Sequence, residues 1–118
     1  MDLHLDDTSL LAAFHNLTTK EKGYNGIVKK YQEKLYWHIR RMVVEHDDAN
    51  DVLQNVFVKA WKNIESFREE SSLYTWLFRI ATNESITFIN QKKRRAIMPF
   101  NEVSEYLQNN LQSDTYFD

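Results

Sequence analysis

Only three residues in this chain are strong helix breakers: Gly23, Gly26 and Pro99. A β-rich protein reverses direction every few residues and spends glycine and proline on those turns. With two glycines and one proline in 118 residues, the chain is predicted to be all-α. Both glycines lie close together, and the proline follows the last basic run, where a helix is expected to have ended.

Hydrophobic periodicity places four helices. A short one is expected over 7–17, capped by Asp7. A long one repeats Tyr24, Ile27, Tyr31, Leu35, Ile39, Met42 and Val43 at spacings of three and four and reaches about Glu45. Thr18 and Glu21 have capping-box spacing, although the glycines shift the expected start towards Asn25. The third begins after Asp47 or Asp48. Its apolar face is Val52, Val56, Ala60 and Ile64, flanked by Leu53, Phe57 and Trp61. The fourth begins at Ser71 or Ser72, with Leu73, Trp76, Leu77, Ile80, Ala81 and Phe88 as its stripe. The short connection between the last two predicts that they are neighbours. The result is a compact bundle of about four helices over 1–95. A polar linker follows over 96–118, too poor in apolar residues to form a core.

Charge is unevenly spread. The net value is −2, which argues against a generic nucleic-acid binder. Residues 96–118 carry Glu102, Glu105, Asp114 and Asp118 and no Lys or Arg, a charge of −4, which leaves +2 for residues 1–95. Within 66–95, the cations Arg68, Arg79, Lys92, Lys93, Arg94 and Arg95 outnumber Glu69, Glu70 and Glu84. An aromatic-rich amphipathic segment thus ends in four consecutive cations. Aromatic rings stack on unpaired bases and cations hold the phosphates between them, a pairing that suits single-stranded nucleic acid. A buried helix with a solvated basic end is the competing reading from residue chemistry alone.

Catalytic chemistry finds no support. His4, His15, His38 and His46 do not pair at metal-ligand spacing, and there is no H-E-x-x-H, glycine-rich phosphate loop or nucleophile elbow. His46-Asp47-Asp48 and Asp6-Asp7 read as helix caps. No metal, cofactor or enzymatic activity is expected. The absence of cysteine makes a reducing cytoplasm the expected compartment. MDLHLDD does not resemble a signal peptide, and no apolar run approaches the roughly 20 residues of a membrane span.

Two motifs then resemble a known family. Residues 48–57, DANDVLQNVF, resemble the DAEDLVQEVF signature of bacterial sigma factors, and residues 74–83, YTWLFRIATN, resemble the TWLYRIARN signature that follows it. Ser66-Phe67-Arg68 lies between them, as in the family. In order and at this separation, they are similar to region 2 of the extracytoplasmic-function (ECF) sigma factors, over about residues 8–95. The resemblance implies a small helical domain that binds core RNA polymerase and recognises the promoter −10 element as melted, single-stranded non-template DNA. It also implies an anti-sigma factor as a regulatory partner.

By that resemblance, Asp51, Gln54 and Asn55 would dock on the clamp of the largest polymerase subunit. They share one helical face, beside apolar Val58 and Trp61. The −10 site would be the loop from Phe67 to Ser72, including Arg68 and Ser71, with the last helix. Phe67, Phe78, Ile80 and Asn83 would lie near an extruded base, Trp76 would support the site by packing, and Arg79 with Lys92, Lys93, Arg94 and Arg95 would contact phosphates. Asn50 and Asn55 stand where the family is commonly acidic, so the clamp contact is expected to be less charged. Thr87 stands where the family often has Asp or Asn, which bears on base preference. The family's C-terminal helix-turn-helix domain would begin near Asp118, so this chain is expected to be a domain fragment. The alternative is a helical interaction module that binds polymerase or an anti-sigma factor without touching DNA.

Overall fold

A computed structural model describes residues 6–67 and 71–97. Among them are four α-helices and one 3-10 turn, and no strand: α1 Asp7–His15, α2 Lys20–Arg40, α3 His46–Asn63, the turn Ile64–Ser66, and α4 Leu73–Ile97. The chain divides into two compact units, Met1–Ile86 and Thr87–Asp118. Most of the predicted linker, from residue 98 on, lies outside the described residues.

In the first unit, α1 packs on α2 and α2 on α3. Both glycines sit inside α2. A Cβ on Gly23 would come 2.5 Å from the backbone nitrogen of Phe14, and one on Gly26 would come 2.6 Å from Leu10 Cδ2. The glycines therefore do not delay the helix; they let α1 lie close against it. The expected capping box is absent. Thr19 is the N-cap of α2 and makes no side-chain cap bond; its hydroxyl donates instead to the Ala13 carbonyl at 2.8 Å, tying the α1–α2 turn together.

The end of α1 is also corrected. Asp6, not Asp7, is the cap, accepting from the Ser9 N–H at 2.9 Å, an arrangement worth about 1 kcal/mol. Asp7 is thereby left to accept from Lys30 Nζ at 2.8 Å and from the Tyr31 hydroxyl at 2.7 Å. Burial and this carboxylate push the Tyr31 phenol well above its ordinary range. The helix stops at His15 because the Asn16 side chain accepts from the Thr18 N–H at 2.9 Å, a local turn that competes with helix continuation. Leu17 is left fully outside, 91% exposed.

Helix α2 ends at Arg40 rather than near Glu45. The turn is pinned by Val43, which is buried and donates its N–H to Ile39 O at 2.7 Å. Helix α3 starts two or three residues earlier than predicted, with Glu45 as N-cap. Asp47 and Asp48 fall in its first turn, where the positive end of the helix dipole favours carboxylates. Its predicted stripe holds: Val52, Val56, Ala60 and Ile64 are all buried.

Helix α4 is capped by Ser72, whose hydroxyl accepts from the Thr75 N–H at 3.0 Å. Its buried line is Leu73, Leu77, Ala81 and Ser85, one residue every fourth position, so Trp76 and Ile80 lie only partly covered at the edge. As predicted, α4 neighbours α3: Lys59 Nζ meets Glu84 Oε2 at 2.5 Å. In the second unit the described residues are helical. The Lys92 ammonium stands 6.0 Å from the Phe88 ring centre, and Arg94 and Arg95 fall in the last turn, where cations complement the helix dipole. No helix among the described residues is long and apolar enough to cross a membrane.

Candidate nucleic-acid and protein interfaces

The outer side of α3 gathers the first set of predicted residues. Asp51, Gln54, Asn55 and Val58 are exposed. Val58 and Trp61 share an open concavity of about 400 Å³ with Glu21, Tyr24 and Asn25 of α2. Trp61 is partly buried rather than freely presented. Its ring lies 5.0 Å from Tyr24, edge-on, and 5.8 Å from Phe14, with Lys20 Nζ 4.2 Å above it. It therefore anchors α1, α2 and α3 while showing one side to solvent. Burial raises the Tyr24 phenol in the same cluster.

A second concavity opens between the same helices, lined by Gln32, Glu33, Tyr36, His46, Asn50 and Leu53. His46 joins its walls: Nδ1 lies 2.5 Å from the Tyr36 hydroxyl and Nε2 lies 3.1 Å from the Asn50 amide nitrogen. Asn50, a departure from the acidic family pattern, is thus one end of a hydrogen-bonded chain through His46 to Tyr36, whose hydroxyl also accepts from Arg40 Nη1 at 3.0 Å. From the sequence, Tyr24 reads only as part of the apolar stripe of α2, His46 only as part of a helix cap, and Tyr36 carries no signal. Tyr24 belongs to that stripe and Tyr36 lies on the same helix, but the pairing of α2 with α3 that makes them groove walls is tertiary.

The second set lies on and around α4, and the structure divides it. Phe67 is 8% exposed, and its ring lies 5.2 Å from that of Trp76. It backs the indole from inside. Trp76 and Ile80 are half-covered, and Arg79 and Asn83 are exposed. At about 100° per residue, Trp76, Arg79, Ile80 and Asn83 fall within roughly a third of the helix circumference. Phe78 does not join them. It stands about 200° from Ile80 on that wheel, on the opposite edge, with its ring 3.6 Å from His38 in a stacked arrangement and 5.4 Å from Tyr74. Ser71 is partly covered and Ser72 is exposed as the cap; Arg68 lies outside the described residues. In the second unit, Thr87, Lys92, Arg94 and Arg95 are exposed and Lys93 is partly covered.

His38 is a further residue whose place sequence reading did not reveal. Its Nε2 is 2.8 Å from the Thr82 hydroxyl, which itself donates to Phe78 O at 3.0 Å. With the hydroxyl hydrogen so committed, Nε2 is assigned the imidazole proton. Burial, and then the nearby Arg41 charge, hold the His38 pKa below its ordinary value. The ring stacks on Phe78 as a neutral imidazole at neutral pH. Among the described residues, no group of His, Cys, Asp and Glu is arranged to hold a metal ion.

Comparison with known proteins agrees with this architecture. The Sigma-70 region 2 family pattern matches residues 27–95. The chain is similar to the ECF RNA polymerase sigma-E factor of Haemophilus influenzae, 43% identical over 75 residues that make up 64% of this chain and 39% of that protein. It is 36% identical over 93 residues to the Escherichia coli K12 sigma-E factor, covering 79% of this chain and 47% of that protein. The matched part is therefore less than half the length of either relative. Among solved structures it is similar to the NMR structure of the complex formed by an engineered region 2 of sigmaE in complex with GTAAAA. The TM-score is 0.70 at 32% identity, covering 77% of this chain and 93% of that one. Fold, motifs and a match over more than half of the residues agree: the chain belongs to the Sigma-70 region 2 family.

Proposed function

We propose that this chain works as the part of an ECF-type sigma factor that engages core RNA polymerase and captures the promoter −10 element as single-stranded non-template DNA. The observation that carries this reading is the backbone correspondence with a region 2 solved in complex with GTAAAA. On this reading, Trp76, Arg79, Ile80 and Asn83 form the strand-facing surface. Asn83 offers both a donor and an acceptor to a base edge, Trp76 backed by Phe67 supports the extruded base, and Arg79 meets a phosphate. Thr87 bears on base preference, and Lys92, Lys93, Arg94 and Arg95 supply sequence-independent phosphate attraction. Extruding a base costs a few kcal/mol and a new stacking contact returns about 1–3 kcal/mol. Melting is thus nearly balanced, and polymerase contacts decide it.

Asp51, Gln54, Asn55, Val58 and the open side of Trp61 form the proposed dock for the clamp of the largest polymerase subunit. Two asparagines at family-acidic positions make that dock rest more on shape and neutral hydrogen bonds than on charge. An anti-sigma factor would compete for it. Residues 1–95 act as the region 2 domain, and 96–118 as a linker towards a C-terminal promoter-binding region. The role is cytoplasmic, non-catalytic and free of cofactors. A pull-down with core polymerase and, separately, a titration with a −10 non-template oligonucleotide test the reading. Both partners should bind. Retention of polymerase with no oligonucleotide binding would favour an interaction module that does not touch DNA.

A further inference from the structure

The edge of α4 that carries Phe78 faces a surface the family motifs do not mark. Lys34 and Trp37 of α2 and Arg41, its C-cap, recur at i, i+3 and i+7 and share one helical stripe. All three are exposed, Trp37 at 53%. Its indole rests edge-on against Tyr36 at 5.0 Å, and the Arg40 guanidinium lies 6.0 Å from it. Lys34 Nζ stands 5.8 Å from the ring of Tyr74 on α4. Tyr74 and Phe78 are half-covered there. A lone exposed tryptophan needs no explanation. One with a guanidinium beside its ring, in a stripe with Lys34 and Arg41, on the flank where Lys34 reaches the half-open Tyr74, is a different object.

Of the nearby carboxylates, two are committed elsewhere. Asp7 is held by Lys30 and Tyr31. Glu33, one turn before Trp37 and at the border of the α2–α3 concavity, is an acid at the edge of this stripe, outnumbered by Lys34, Arg40 and Arg41. Glu84 is paired with Lys59. On α4, residues 73–83 contain no acid, and Arg79 is exposed. The surface is therefore cationic and aromatic together, the composition that tracks a single strand. It is continuous, through Arg79 and the outer side of α4, with the surface of Trp76 and Asn83.

We infer that the α2–α4 flank, with Lys34, Trp37 and Arg41 at its centre, is a second track for single-stranded DNA. It holds nucleotides that continue beyond those read at Trp76 and Asn83. The inference rests on the function proposed above. Trp37 stacks on a base, Lys34 and Arg41 take the flanking phosphates, and His38 fixes Phe78 as the floor between helices.

The test uses the full 118-residue chain and three probes: the six-base strand GTAAAA, and the same strand lengthened by six thymidines at its 5′ or its 3′ end. For the wild type, one of the two extensions should tighten binding about tenfold, the scale of a single added base–aromatic stack. Trp37→Ala with Lys34→Gln and Arg41→Gln should lose that gain while binding GTAAAA unchanged. The salt slope on the longer strand should flatten by about 1.4, for two phosphate contacts removed. Trp37→Phe should keep most of the gain, which separates stacking from loss of fold. The inference is overturned if neither extension tightens wild-type binding, if the triple variant keeps the gain, or if it weakens GTAAAA equally. It is also overturned if phosphatidylserine vesicles capture the wild type but not the triple variant and the oligonucleotides do not distinguish them. Failure of GTAAAA itself to bind the wild type would strike the function proposed above instead.

Discussion

The outer side of α3 and the outer side of α4 are built by opposite means. Around α3, aromatic rings are clustered and mostly satisfied. Trp61 is packed among Phe14, Tyr24 and Lys20, and Tyr36, His46 and Asn50 bond to one another. What remains open is shallow relief with short polar side chains, the kind of surface that fits another protein by shape. Around α4, the rings lie at the two edges of an exposed strip that carries Arg79 and Asn83. Each edge ring is backed from behind, Trp76 by Phe67 and Phe78 by His38. Such an arrangement offers π-faces and donors to something thin and anionic. The same small core thus supports two surfaces without sharing a recognition residue between them.

The strongest way to break this contrast acts on charge. Replacing Lys92, Lys93, Arg94 and Arg95 with glutamine should weaken oligonucleotide binding by about two to three orders of magnitude at 0.1 M salt and flatten the salt slope by about 2.8. Polymerase capture should change little. Equal losses for both partners, measured by anisotropy and pull-down, would show that the basic run serves both surfaces.

A smaller effect is expected on the α3 side. Gln54→Ala with Val58→Ala should reduce polymerase capture by about tenfold, the scale of a lost central contact, with helix content and oligonucleotide affinity retained. Undiminished capture would place the dock elsewhere. Asp51 and Asn55 are the next residues to vary, because Asn55→Glu adds the charge common in the family and should strengthen capture slightly.

The smallest effect concerns pH. The folded state holds the His38 pKa below its ordinary value through burial and Arg41. Between the two values the unfolded chain binds the proton and the fold does not. Stability from this residue is therefore complete above the ordinary histidine range and is lost as pH falls through it towards the depressed value. Tm should drop more between pH 7.5 and 5.5 in the wild type than in His38→Gln, which does not titrate. An equal drop in the two would show that His38 does not link stability to pH.

How much of this was legible in the sequence follows from which interactions are periodic. The stripe Val52, Val56, Ala60, Ile64 was readable because burial repeats at helical spacing. The same logic placed Trp76 and Ile80 on the packing stripe, yet the buried line runs through Leu73, Leu77, Ala81 and Ser85. An apolar pattern wider than one face does not say which part is core and which is edge. The glycines misled in the same direction. Their helix-weakening tendency is local, whereas their use, the close approach of α1, depends on Phe14 and Leu10. Asp6 and Asp7 offer the same capping chemistry side by side, and only the partners Lys30 and Tyr31 distinguish the two. Of the site, the motif residues on α3 and α4 were readable from family resemblance. His38, Tyr36 and Tyr24 were not, because each acts through a side chain on another helix.

The separation of the two surfaces is tested most directly by backbone and indole amide NMR of the labelled chain during titration with unlabelled GTAAAA. The Trp76 indole and the Arg79, Ile80 and Asn83 amides should shift, while the Trp61 indole and the Asp51, Gln54 and Val58 amides should stay in place. Shifts centred on Trp61 and Gln54, with Trp76 and Asn83 unmoved, would contradict it.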